Sequence, residues 1–251
     1  MSKLSKFTRQ FLAKRFPTLN HDAASALELN EALNLDYQVI FIAVPKTGTT
    51  SVRRQLGVPR NPLIPNPHLD IIQVRELIYP MLLRATLGTN HSFPTPEAPS
   101  DADLRVRSEQ LFAELFKFSA VRNPWARAVS LWSRKEGVEV SGGMSFEQFI
   151  EDHHHASDTC REPTLHRNQI DWLCDEDGRM IMDYVYKVEE FESAIAEIEE
   201  RTEGRLRLES RQLNVNPRSA SKRYRSMYSE HTRKVIAQRF ERDIDHFEYV
   251  F

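Results

Sequence analysis

The stretch from Val39 to Leu56 limits the possible folds of this chain more than any other part of the sequence. It opens with six consecutive apolar residues, ending at Val44, and a short run rich in β-branched types fits a strand buried on both faces. The next seven residues, Pro45 to Ser51, bring one glycine, one lysine and four hydroxyl side chains before a helical pattern resumes. The sequence therefore predicts a buried strand, a tight loop and the start of a helix.

The loop between this strand and this helix carries chemical groups that bind anions. Free backbone N–H groups at a helix start, with the positive end of the helix dipole, form an anion site, and Lys46 adds a mobile charge. Hydroxyl donors follow at Thr47, Thr49, Thr50 and Ser51. The loop is not a Walker A motif, because there the lysine follows the last glycine, whereas Lys46 precedes Gly48. The loop therefore indicates a phosphate or sulfate site, with an ordinary strand-to-helix turn as the alternative.

Strands and helices alternate along the rest of the chain. Apolar runs at 38–44, 115–121 and 181–188 predict strands, and each is followed by a helical pattern. Between the first two strands, residues 69–87 predict a helix that is interrupted at Pro80. We therefore expect a single α/β domain with a central parallel sheet flanked by helices, because no linker-like stretch divides the chain.

A second strand-to-helix junction follows the strand at 115–121. Asn123 is a suitable N-cap and Pro124 suits the first helical position, so Arg122 comes just after the strand and Ser130 lies two turns into the helix. Both junctions fall on the edge where parallel strands end, which is where ligands bind in such sheets. Arginine can bind phosphate through two parallel hydrogen bonds, and serine adds a neutral donor. Two anion sites on one edge suggest a ligand with two separate phosphates; a local role of Arg122 is the alternative.

The distribution of charge and of cysteine limits the classes of partner. The 251 residues carry a net charge of -2, so no overall field favours nucleic acid. A basic stretch at 205–225 lacks the interleaved aromatic residues of RNA-binding segments, apart from Tyr224. Cys160 and Cys174 do not make a disulfide framework, and whether they pair stays open.

The first 37 residues are expected to form a helical extension of the domain at 38–251. Residues 3–16 are basic, free of acidic side chains and apolar at helical spacing, which predicts an amphipathic helix that packs on the domain. An organelle transit peptide or a helix in contact with a membrane surface stays open as an alternative. No apolar run approaches the ~18–20 residues that span a bilayer.

The two junctions together resemble the PAPS-dependent sulfotransferases, where PAPS is 3′-phosphoadenosine-5′-phosphosulfate. The matching segments are VPKTGTTS at 44–51 and FSAVRNPWARAVSLW at 118–132. They are most similar to the carbohydrate O-sulfotransferase branch, family 2, and its soluble bacterial relatives. Further similar segments lie at 166–169, 184–191, 214–228 and 243–251. The resemblance covers 38–251 and implies the P-loop NTPase-like fold of that family.

The resemblance also implies roles for residues at both junctions. The first loop would hold the 5′-phosphosulfate, and Arg122 with Ser130 would hold the 3′-phosphate. The implied binding residues are Pro45, Lys46, Thr47, Gly48, Thr49, Thr50, Ser51, Arg122 and Ser130, joined by Arg218, Ser219 and Lys222 from a late basic segment that covers the nucleotide. Lys46 would neutralise charge that grows on the leaving phosphate. No metal is expected, because lysine and arginine meet the charge of the ligand.

A hydroxyl acceptor needs a general base, and histidine titrates in a suitable range. In the similar carbohydrate enzymes, a histidine between the two phosphate elements takes this role, which implies His91. Asn90 departs from the residues that usually precede this histidine in the relatives, so His68 is the second candidate.

The sequence thus predicts a PAPS-dependent O-sulfotransferase that acts on a hydroxyl group of a small molecule, carbohydrate or glycan by in-line displacement. Two alternatives stay open: a P-loop kinase or NTPase-like phosphotransferase, and a nucleotide-binding module without catalysis. The lack of a membrane anchor departs from the Golgi members of the family. It favours a cytoplasmic enzyme of bacterial type, although the basic N-terminus leaves organelle targeting open.

Overall fold

The computed structural model describes residues 29–57, 62, 64–87, 99–133, 143–153, 167–210 and 224–251. Its strands are β1 (Leu33–Asn34), β2 (Val39–Ile42), β3 (Phe116–Val121) and β4 (Tyr184–Lys187). Its helices are α1 (Thr49–Leu56), α2 (Ile71–Leu87), α3 (Asp101–Glu114), α4 (Pro124–Trp132), α5 (Phe146–His153), α6 (Phe191–Arg201), α7 (Glu230–Arg239) and α8 (Glu241–Phe247). Short 3-10 helices cover Gln169–Trp172, Val188–Glu190 and Tyr224–Met227. The predicted helix at 3–16 lies outside the described residues.

The strands form one sheet in the order β1-β2-β3-β4. β2, β3 and β4 run parallel, with Phe41 opposite Phe118 and Val121 opposite Lys187. The three strands predicted from the sequence are therefore confirmed as a parallel sheet in a single α/β domain. β1 pairs antiparallel with β2 and was not predicted, because a strand of two residues is too short to show a periodicity.

The core lies on both faces of this sheet. All four residues of β2 are fully buried, as a strand covered on both sides requires. Its side chains alternate between two apolar clusters: Phe41 packs with residues of α1 and α6, whereas Ile40 and Ile42 pack with residues of α2, α4, α5 and α7. The helices therefore flank the sheet on both faces, and the ends of the parallel strands are left at one edge.

Helix α2 continues through Pro80, so the predicted interruption at this residue is wrong. A proline inside a helix removes one hydrogen bond and crowds the carbonyl four residues earlier. Pro80 and Glu76, whose carbonyl loses its partner, both lie on the exposed side, where water can satisfy that carbonyl. On the opposite side Ile78 and Met81 are fully buried, and this packing holds the helix together.

The predicted start of α4 is confirmed in detail, and α5 begins with a similar cap. The Asn123 side chain accepts hydrogen bonds from the N–H groups of the two residues after Pro124, and Pro124 is the first residue of α4. At α5, the Ser145 N–H donates to Gln148 Oε1 at 3.0 Å, and the Gln148 N–H donates to Ser145 Oγ at 3.2 Å. No helix among the described residues is both long enough and apolar enough to cross a bilayer.

Candidate functional site

The loop between β2 and α1 has an unusual backbone. Lys46 has a φ of 72° and Gly48 a φ of 75°, so two residues of this short loop lie in the left-handed region. This conformation is easy for glycine but costs a residue with a side chain on the order of 1 kcal/mol. A strained residue that persists must be held by its surroundings, and such residues cluster at ligand sites.

Three consecutive carbonyl groups of this loop accept side-chain hydrogen bonds, one from within the loop and two from arginines of the rest of the domain. The hydrogen bonds run from Thr47 Oγ1 to Val44 O at 2.9 Å, from Arg127 Nε to Pro45 O at 3.0 Å, and from Arg122 Nη1 to Lys46 O at 3.4 Å. In a planar trans peptide the carbonyl and the following N–H point in opposite directions. The N–H groups of Lys46 and Thr47 therefore point away from the two arginines.

Helix α1 begins without a side-chain cap from its N-cap residue. Gly48 occupies the N-cap position and offers no side chain, and the first turn of α1 contains no acidic residue. By contrast, α3, α4 and α7 begin with capping side chains from Ser100, Asn123 and Ser229. The first N–H groups of a helix need a partner, and together with the helix dipole they suit an anion.

The predicted loop residues differ in exposure. Pro45, Thr47 and Thr49 are buried, whereas Lys46 is half-buried and Gly48 is exposed. Because the Thr47 hydroxyl donates to Val44 O, its proton is used inside the protein, and what remains for a ligand is its backbone N–H. Thr50, Ser51 and Ser130 are half-buried. Arg218, Ser219 and Lys222 lie outside the described residues.

Arg122 is fixed through its own backbone. Its N–H donates to Gln169 Oε1 at 2.8 Å, and Gln169 Nε2 donates to the Arg122 carbonyl at 2.8 Å. Asp243 accepts from the Gln169 N–H at 2.8 Å, from Gln169 Nε2 at 3.1 Å and from the Ile170 N–H at 3.0 Å. Gln169 and Asp243 are both fully buried. The position from which the Arg122 side chain starts is therefore set by a buried polar network.

The electrostatic environment of Arg122 is suited to an anion. Burial lowers the pKa of the Arg122 guanidinium, while Glu189, Tyr249 and Tyr224 oppose this shift. Glu189 also holds the neighbouring backbone, because its Oε1 accepts from the Asn123 N–H at 2.9 Å. A cation that loses water on burial is stabilised when an anion binds beside it.

Arg127 is a buried cation one helical turn further on, and sequence reasoning gave it no role. Burial lowers its pKa to about 10; the carboxylate of Asp243 opposes this shift, and the charge of Arg122 adds to it. Among the described residues its Nη2 has no hydrogen-bond partner. The signal in the sequence is that Arg127 carries the one charge within the otherwise uncharged run PWARAVSLW.

The loop at β2 also contacts the end of β4. A β-carbon on Gly48 would lie 2.8 Å from Cγ2 of Val188, the residue that follows β4. This close approach requires glycine at position 48, in addition to the positive φ. The ends of the three parallel strands therefore meet around one loop.

Of the two histidine candidates, His91 lies outside the described residues. His68 is half-buried, and its Nδ1 lies 2.7 Å from the carbonyl oxygen of Ala43, the residue after β2. Because a carbonyl only accepts, Nδ1 carries a proton, and in the neutral ring Nε2 then carries the lone pair. His68 is thus held beside the loop by the hydrogen bond of its Nδ1 to Ala43 O.

No group of three or more His, Cys, Asp or Glu side chains suited to a metal ion occurs in the part of the chain that the structure describes.

Residues 32–250 match the family model described as the sulfotransferase family. The match includes β1 to β4 and both junctions. Neither the curated proteins nor the solved structures gave a match.

Proposed function

The chain belongs to the sulfotransferase family, and on that premise we propose that it transfers a sulfuryl group from PAPS to a hydroxyl group of an acceptor, a carbohydrate or glycan in the first place. The observation that carries this proposal is the meeting of the two junctions. Arg122 Nη1 lies 3.4 Å from the carbonyl oxygen of Lys46, so the residues expected at the two ends of the nucleotide sit at neighbouring strand ends. One ligand with two anionic ends can reach both.

The residues at this edge fit a doubly anionic nucleotide. The 5′-phosphosulfate suits the start of α1, where the N-cap residue offers no side chain. The ammonium of Lys46 adds a positive charge for the same group. Arg122 suits the 3′-phosphate, and Ser130 on α4 is proposed to add a neutral donor. A bound phosphate would also offset the unfavourable effect of the Arg122 charge on Arg127.

The proposed reaction is an in-line displacement at sulfur. The acceptor oxygen forms a new S–O bond, the S–O bond to the 5′-phosphate breaks, and the products are a sulfate ester and adenosine 3′,5′-bisphosphate. Lys46 stabilises the charge on the departing phosphate oxygen. The α1 N–H groups, with Thr49 and Thr50, are proposed to hold the sulfuryl oxygens, and a histidine takes the proton of the acceptor hydroxyl.

Two histidines are candidates for this base. His91 is proposed on the family resemblance, at a position between the two phosphate elements. His68 is supported by the hydrogen bond of its Nδ1 to Ala43 O, which leaves Nε2 as the acceptor in the neutral ring. Because a base must lie within hydrogen-bond reach of the proton it removes, the substrate complex decides between them.

The first experiment measures thermal stability in the presence of nucleotides. A ligand that binds the folded state raises the melting temperature. We expect adenosine 3′,5′-bisphosphate to raise it more than adenosine 5′-phosphate, which lacks the 3′ group, and more than ATP with magnesium. A shift with ATP and magnesium alone would favour a phosphotransferase instead.

The second experiment measures turnover of labelled PAPS on a panel of saccharides and small alcohols, which tests transfer and identifies the acceptor. Binding of adenosine 3′,5′-bisphosphate without any turnover would favour a nucleotide-binding module without catalysis.

A further inference from the structure

The guanidinium of Arg127 joins the loop of the candidate site to Arg167 from inside the protein. Its Nε donates to Pro45 O at 3.0 Å and its Nη1 donates to Arg167 O at 3.3 Å. The side chain is 4% exposed and packs over the ring of Phe240, with 5.6 Å from the guanidinium carbon to the ring centroid. A side chain so enclosed acts through the groups that it touches.

The Pro45 carbonyl that Arg127 holds immediately precedes the strained residue of the loop. With that carbonyl fixed, the N–H of Lys46 is turned to the opposite side, because the peptide unit is planar. Lys46 itself has a φ of 72°, a conformation that needs support from its surroundings. The hydrogen bond from Arg127 provides this support on one side of Lys46, and Arg122 provides it on the other.

The network behind Arg122 also reaches Arg127. Asp243 accepts three hydrogen bonds from Gln169 and Ile170, and its charge acts on the buried guanidinium of Arg127. Gln169 in turn pairs with the backbone of Arg122. Asp243 thus lies behind both arginines: through Gln169 it holds the backbone of Arg122, and its charge favours the charged form of Arg127, whose hydrogen bond holds the loop.

From these contacts we infer that Arg127 is a positioning residue, which keeps the loop at 45–48 in its ligand-binding shape. It does so through the Pro45 carbonyl and without touching the reacting groups. For its effect on nucleotide affinity this inference rests on the proposed function. Its structural part, the restraint on the loop, does not.

The test compares Arg127→Met with a matched variant, Lys117→Met. Lys117 is also a buried cation that donates to a backbone carbonyl, with Nζ at 2.8 Å from Leu115 O, and it pairs with the carboxylate of Asp183 at 3.0 Å. It lies near the opposite end of β3, five residues from Arg122 and thus about 16 Å away along the strand. Both substitutions remove a buried charge, but only Arg127→Met also removes a hydrogen bond to the loop at 45–48.

Two measurements are made on each variant of the full chain: amide hydrogen exchange of the segment 44–50 without ligand, and the Kd for adenosine 3′,5′-bisphosphate by calorimetry. For Arg127→Met we expect faster exchange in 44–50, by about tenfold or more, and a Kd raised by about 10-fold to 100-fold. For Lys117→Met we expect a lower melting temperature with both values close to those of the original protein.

If Arg127→Met does not fold, Arg127→Lys serves in its place. It keeps a cation over Phe240 but can reach only one of the two carbonyls, so intermediate changes in exchange and in Kd are expected. Exchange in 44–50 that is the same in the Arg127 and Lys117 variants would overturn the inference. If the original protein does not bind adenosine 3′,5′-bisphosphate, the proposed function fails, and the exchange measurement still decides the role of Arg127.

Discussion

The α-carbon of Gly48 faces Cγ2 of Val188 so closely that an added β-carbon would lie 2.8 Å from it. Gly48 begins the helix at the candidate anion site, and Val188 follows the last strand of the sheet. This contact joins the first and the third parallel strand ends, between which the second junction lies in the sheet order. The shape of the site therefore depends on a backbone position where a side chain does not fit.

Gly48→Ala is expected to damage the site through both its φ of 75° and this contact. We expect a loss of stability on the order of 1–3 kcal/mol from the strained backbone, together with weaker binding of adenosine 3′,5′-bisphosphate. Urea unfolding and calorimetry measure the two effects. Gly57→Ala is the matched control, because Gly57 ends the same helix with a φ of 89° but has no atom within 4 Å of the added carbon. Equal nucleotide affinities in the two variants would contradict this account of Gly48.

Gln169→Leu is expected to lower the stability of the protein and to leave the position of Arg122 less well fixed. Leucine has a similar size but leaves the N–H and the carbonyl of Arg122 without their partner. A buried polar group without a partner costs about 1–3 kcal/mol, so the free energy of unfolding should fall by at least that amount. The Kd for adenosine 3′,5′-bisphosphate should rise as well. Gln148→Leu, which removes an exposed helix cap on α5, should lower stability by about 1 kcal/mol and leave the Kd unchanged.

Substitution of the two candidate bases should separate transfer from binding. If His91 is the base, His91→Ala lowers kcat by about 10²-fold or more and leaves the affinity for adenosine 3′,5′-bisphosphate unchanged. His68→Ala then retains most of the transfer activity. The reverse result assigns the base to His68, whose Nδ1 is held by Ala43 O. His246→Ala is the control, because His246 is exposed on α8. Normal turnover in both the His68 and His91 variants would remove the histidine base from the mechanism.

The elements that the sequence predicted well are those with a strong local signal. β2 is a continuous apolar run, and α4 begins with Asn123 and Pro124, so both could be read from neighbouring residues alone. Helix α3 was missed, because its apolar residues are few and Val106 among them is exposed. The break expected at Pro80 does not occur, because tertiary packing of the buried face outweighs the local preference.

The candidate site was predictable only in part, for a similar reason. Lys46 and Arg122 each follow a predicted parallel strand, so their meeting at one edge follows from the sheet topology. The hydrogen bonds of Arg127, Gln169 and Asp243 join residues that are 47 to 82 positions apart along the chain. A single sequence has no local pattern that reveals such contacts. The resemblance marked the segments of Gln169 and Asp243 but not what they touch.

The central claim is that one nucleotide bridges Lys46 and Arg122, and calorimetry with two ligands tests it most directly. Arg122→Ala should weaken the binding of adenosine 3′,5′-bisphosphate by about tenfold to a hundredfold more than the binding of adenosine 5′-phosphate. Both ligands lose the support that Arg122 gives to the loop at Lys46, but only the first also loses a charge-assisted contact to its 3′-phosphate. Lys46→Ala should weaken the binding of both ligands. Arg54 is exposed on α1, and the control Arg54→Ala should leave the binding of both ligands unchanged. Equal loss for both ligands in Arg122→Ala, or no binding of adenosine 3′,5′-bisphosphate to the original protein, would contradict the account.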